Sequence, residues 1–128
     1  MNIRIENGLP FVSVALAYKG KQLALNRVLL DTGSAGTIFS ADKVAEADLF
    51  LDPHDTIHRI RGIGGSEFVF TKHVDSLTIG ELQVGDFEIE IGAMEYNLDI
   101  EAIIGMDFLM QVGAIIDLAQ LQIHDSLD

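Results

Sequence analysis

The chain has 128 residues, 8 basic and 20 acidic, for a formal net charge of −12, with 48% hydrophobic residues and no cysteine. That length and apolar content fit one packed domain over residues 1–128 and argue against disorder. The negative charge repels a phosphate backbone, so nucleic acid is not an expected partner, and the lack of cysteine removes disulfides, thiolate metal sites and cysteine nucleophiles.

At the amino terminus Met1 to Asn7 lacks the apolar centre of a signal peptide, and no apolar run approaches the roughly 18 residues of a membrane span. A cytoplasmic protein without a membrane partner is the expectation. Phe11 to Tyr18 and Gln22 to Leu30 read as strands joined by a turn at Lys19-Gly20-Lys21. Val28-Leu29-Leu30 is continuously apolar, as a strand buried on both faces requires. Ser40 is placed to cap a short helix reaching about Ala47, with Val44 and Ala47 inward. Thr56 to Ile63 and Ser66 to Val74 form the arms of a hairpin around glycines. Leu77-Thr78-Ile79 and Leu82-Gln83-Val84 flank a Gly80-Glu81 turn, and Phe87 to Ile91 alternates with period two. After Gly105, Asp107 is the expected N-cap of a helix over Phe108 to Val112, stopped by Gly113. Ala114 to Asp117 and Gln120 to Ile123 supply the last strands. Many short strands without a linker or repeat predict an all-β fold, a small closed β-barrel with one or two short helices.

Asp31-Thr32-Gly33-Ser34 follows the apolar strand directly, an arrangement that resembles the one used by aspartic peptidases. Hydrolysis of a peptide bond without a metal or a covalent nucleophile needs one carboxylate as base and one carboxylic acid as proton donor. The sequence holds no second Asp-Thr-Gly or Asp-Ser-Gly, since Asp75-Ser76 runs into Leu77 and Asp125-Ser126 into Leu127. A catalytic Asp31 therefore takes its partner from a second chain, and two-fold symmetry supplies it. Gly33 permits close backbone approach, and Ser34 is expected to hydrogen-bond the Asp31 carboxylate. The Gly62-Ile63-Gly64-Gly65 stretch is not a phosphate loop, because the Gly-x-Gly-x-x-Gly spacing and a Lys-Ser/Thr pair are missing. His54 and His58 are four apart, but Pro53 and the β-rich Thr56-Ile57 argue against a helical metal pair. All four histidines, with His73 and His124, are expected at the surface, and neither metal nor cofactor is expected.

Three ordered signals resemble the retropepsin-like, retroviral-type aspartic peptidase family over nearly the whole chain. They are Leu29 to Ser34 with Ile38-Phe39 behind it, Arg61-Gly62-Ile63-Gly64-Gly65, and Ala102 to Leu109. The resemblance implies an aspartic endopeptidase acting on peptides or proteins as a homodimer. Asp31, Thr32 and Gly33 would form the catalytic loop, with Thr32 reaching across the dyad. Gly33, Ser34 and the flap-tip residues Gly62, Ile63, Gly64 and Gly65 would bind substrate. It further implies terminal strands of both chains interleaved in one sheet. Family members usually carry an acid four residues after the catalytic aspartate and a base after the last glycine. Here those positions are Ala35 and Met106, an apolar replacement on both sides, which looks more like the cellular than the viral members. A dimer of the same fold that binds peptides or assembles without efficient cleavage is the alternative.

Overall fold

The computed structural model describes residues 1–62, 65–94 and 99–126. Ten strands and two short helices succeed one another as β1 (Arg4–Glu6), β2 (Leu9–Tyr18), β3 (Lys21–Leu30), β4 (Ile38–Ser40), α1 (Ala41–Val44), β5 (Ile57–Gly62), β6 (Gly65–Ile79), β7 (Leu82–Gly92), β8 (Ala102–Ile104), α2 (Met106–Gln111), β9 (Ile115–Asp117) and β10 (Gln122–His124). The main sheet runs β1-β2-β3-β8-β4-β7-β6-β5, and a further β2–β6 pairing closes it into a barrel. The fold is the expected small all-β barrel.

Local sequence explains the turns. At Lys19-Gly20 both residues take positive φ, 47° and 81°, the type I′ geometry whose twist matches the flanking strands. Asn7-Gly8 does the same between β1 and β2, with φ of 53° and 78°. The hairpin arm and the Leu77 to Ile79 strand prove to be one 15-residue strand, β6, because Ser76 stays in the ladder opposite Gly85. The same strand thus builds the barrel and the hairpin above it. α1 runs on into a 3₁₀ turn over Ala45–Ala47, and Val44 and Ala47 are buried as expected. Ser40 occupies the N-cap position, but its side chain makes no capping bond.

Two apolar clusters flank the central strands. Val28 and Leu30 on β3, Phe39 on β4, and Ala102 and Ile104 on β8 enter the barrel core, while the intervening Leu29, Ile38 and Ile103 pack into a second cluster with Phe11, Val69, Met94 and Ile100. This is why three strands of the centre are apolar at consecutive positions. Burial of Val69, at about 1.5–3 kcal/mol for a side chain of its size, fastens the root of the β5–β6 hairpin to that second cluster.

The terminal segments pair with each other within the chain. Ile3 N–H donates to the Leu121 carbonyl and Ile123 N–H to the Met1 carbonyl, both at 2.9 Å, with a bridge between Asn2 and Gln122. Ile3 and Ile123 are both buried in the barrel core. The apolar residues at each end are thus used within one chain. β10 lies between this amino-terminal segment and β9, and the other edge of β9 pairs with no strand among the described residues.

Candidate active site

Asp31 follows the last residue of β3, where the parallel ladder with β8 continues through Asp31 N–H to the Ile104 carbonyl at 3.0 Å. The ladder therefore fixes the backbone of Asp31 at the end of β3. The chain then turns, with Ser34 N–H donating to the Asp31 carbonyl at 3.1 Å and Gly33 N–H donating to Asp31 Oδ1 at 2.9 Å. A Cβ on Gly33 would stand 3.2 Å from that same oxygen. Asp31 is half-buried, and Thr32 and Gly33 are exposed. Ser34 Oγ donates to the Gly36 carbonyl at 2.8 Å, so its hydroxyl braces the loop instead of solvating the Asp31 carboxylate.

The loop rests on the turn before α2. Met106 N–H donates to the Ser34 carbonyl at 2.8 Å and Asp107 N–H to the Ala35 carbonyl at 3.2 Å. Loop carbonyls thereby satisfy helix N–H groups that have no intrahelical partner. The helix begins earlier than expected, at Met106, with Gly105 at the N-cap position, and Asp107 sits inside its first turn. Its carboxylate turns back to the loop. Oδ2 accepts from Thr37 N–H at 3.1 Å and Oδ1 accepts from Thr37 Oγ1 at 2.7 Å, while Thr37 Oγ1 accepts from Gly105 N–H at 3.1 Å. Ala35 is exposed and Met106 packs against the barrel core. The side-chain tie between loop and helix is therefore made by Thr37 and Asp107.

The sequence argument found Asp31, Thr32, Gly33 and Ser34, and the structure brings them together in one loop. It did not find the Thr37–Asp107 link. The hairpin β5–β6 closes with Gly62 opposite Gly65; Ile63 and Gly64 lie outside the described residues. A groove between the hairpin root and α2 is lined by His58, Arg59, Thr71, Glu88, Glu90 and Asp107 and does not include Asp31. Among the described residues no group of three or more His, Asp or Glu side chains is placed to hold a metal ion. His54, His58 and His73 are exposed, and His124 is half-buried. No helix among the described residues is long and apolar enough to cross a membrane. Arg27 pairs with Glu6 at 3.1 Å and stacks 4.6 Å from the Phe11 ring, so its charge is engaged within the chain.

No curated protein matches the chain. A family model described as aspartyl protease matches residues 14–108, from the middle of β2 through the first half of α2, and so spans the Asp31 loop, the hairpin and the Ile103-Ile104-Gly105 turn. With this loop at the end of a double-faced strand in a closed barrel, the chain belongs to the aspartyl protease family, in its retropepsin-like form.

Proposed function

We propose that the protein is an aspartic endopeptidase whose active site is shared by two copies of the chain. The observation that carries this reading is a single Asp-Thr-Gly loop in an aspartyl protease, with its carboxylate at the surface end of β3 and held by Gly33 N–H. Two Asp31 carboxylates facing each other share one proton, because both cannot ionise at close range. The ionised one takes a proton from water as the water oxygen attacks the scissile carbonyl carbon, and the protonated one gives its proton to the carbonyl oxygen. The tetrahedral intermediate collapses by breaking the C–N bond, as the carboxyl that took the water's proton gives it to the leaving amine and the other carboxylate takes a hydroxyl proton from the gem-diol. No covalent bond to the enzyme forms. The hairpin β5–β6 would close over the peptide, its glycines lowering the cost of movement.

The free edge of β9 supports a particular way of pairing. Among the described residues the terminal segments pair within the chain, and β9 offers backbone groups on its other edge beside the exposed Ile115 and Leu118. α2, which precedes β9, directly supports the Asp31 loop. In this reading a second copy pairs antiparallel along β9 about a two-fold axis.

Cleavage of a peptide library by wild type and by Asp31→Asn, with and without a statine-type transition-state analogue, tests the reading. Cleavage by wild type alone, blocked by the analogue, supports it. Peptide binding without turnover by the wild type would instead favour a binding or assembly module.

A further inference from the structure

Thr37 lies outside the Asp-Thr-Gly triplet and is 0% exposed, and its N–H and hydroxyl make three hydrogen bonds, two to the Asp107 carboxylate and one from Gly105 N–H. We infer that Thr37 and Asp107 form a positioning pair that fixes the Asp31 loop against α2. The kinetic part of this inference rests on the peptidase reading, and its structural part rests on the hydrogen bonds alone.

The direction of every bond in the network is determined. An ionised Asp107 only accepts, so the Thr37 hydroxyl must donate to it, and that leaves an oxygen lone pair free to receive Gly105 N–H. Thr37 N–H fills the second carboxylate oxygen, and the charge on the acceptor strengthens both bonds. In the reverse sense, the first N–H groups of α2 donate to Ser34 and Ala35 carbonyls of the loop. Loop and helix thus hold each other by donors running both ways. Thr37 ends the loop just before β4, and Asp31 begins it just after β3. With β3 fixing one end, the Thr37–Asp107 pair fixes the other, and the turn that aims Gly33 N–H at Asp31 Oδ1 is strung between them.

Catalytic carboxylates need placement to within about 0.5 Å. Loss of this anchor should therefore be felt at the chemical step more than in substrate affinity. Thr37→Val keeps the shape and the backbone N–H but removes the hydroxyl; Thr37→Ser restores the hydroxyl; Asp107→Asn removes the charge and one acceptor.

The experiment measures kcat and KM for a peptide cleaved by the wild type, together with backbone amide NMR of each variant. In Thr37→Val, kcat should fall about 10- to 100-fold with KM within about twofold, and Thr37→Ser should recover to within about threefold of wild type. Asp107→Asn should lie between these. The Gly33, Ser34 and Met106 amide resonances should move in Thr37→Val and not in Thr37→Ser, while amides of β2 and β6 stay in place. A folded Thr37→Val with wild-type kcat and unmoved loop amides overturns the inference. So does equal loss in Thr37→Ser, or failure of both Thr37→Val and Asp107→Asn to fold, which would make the pair a strut of the whole barrel. A wild type that cleaves nothing defeats the peptidase reading instead, and the loop amides then decide the structural claim by themselves.

Discussion

Gly105 crosses Gly36 so closely that a Cβ on Gly105 would lie 2.2 Å from the Gly36 carbonyl oxygen and 2.8 Å from the Ser34 carbonyl oxygen. Both obstacles are backbone, and the backbone there is the Asp31 loop. Gly105→Ala must displace the loop or the turn, and the expected cost is about 3 kcal/mol, at the upper end of overpacking penalties. Urea denaturation of the variant measures it. Gly33→Ala meets only the carboxylate of Asp31, at 3.2 Å. It should leave stability within about 1 kcal/mol of wild type while reducing cleavage, so the two glycines should separate by assay.

A second prediction concerns pH. Lys72 on β6 is 8% exposed, with its Nζ 2.8 Å from Asp55 and 2.5 Å from Asp52. Burial alone pulls the Lys72 ammonium down, but the hydrogen bonds to Asp52 and Asp55 outweigh it and hold the group above its ordinary 10.5. Asp55 is held below its ordinary 3.8, first by the Lys72 hydrogen bond and then by the Asp52 N–H. A lowered carboxylate stabilises the fold above its unfolded pKa and loses that contribution as pH falls through the folded one; a raised ammonium does the reverse at the alkaline end. The stability difference between wild type and Asp55→Asn should therefore be flat from about pH 5 to 9 and shrink on either side. Thermal melts across pH read this directly, and a difference that grows below pH 4 would contradict the assignment.

The β9 edge gives a third. Ile115→Asp and Leu118→Lys place charge beside the β9 edge that pairs with no strand among the described residues, without touching the core, since Ile115 is 42% and Leu118 64% exposed. Sedimentation should find both variants folded and monomeric at concentrations where the wild type is dimeric, with peptidase activity lost in parallel. Removal of Gln120 to Asp128 is a poorer test. Ile123 is 1% exposed in the core and its N–H holds Met1, so truncation should destabilise the monomer itself.

The barrel was legible because its residues speak locally. Val28-Leu29-Leu30 and Ala102-Ile103-Ile104 are apolar without alternation, and the two clusters on either side of the sheet are the reason. The hairpin turns carry their own glycines. The closure of the barrel was not legible in detail, because the parallel pairings β3–β8 and β4–β7 join segments far apart in the chain. Asp107 was misread for a related reason. An acidic residue at a helix start looks like a cap, and its actual partner, Thr37, is 70 positions away. The Asn7-Gly8 turn was not read from the sequence, although Asn-Gly is a hairpin dipeptide. It folds β1 back on β2, and the amino-terminal segment then meets β10 of its own chain.

The central claim is that one active site contains Asp31 from two chains, and subunit mixing tests it most directly. Wild type and Asp31→Asn are combined in equal amounts at constant total concentration and allowed to exchange, and cleavage is compared with pure wild type. Asp31→Asn is nearly isosteric and should keep fold and dimer, so only dimers with two aspartates should act. Random pairing then leaves about one quarter of the activity of the pure wild type. Retention of about one half would mean that each chain works alone and would contradict the shared site.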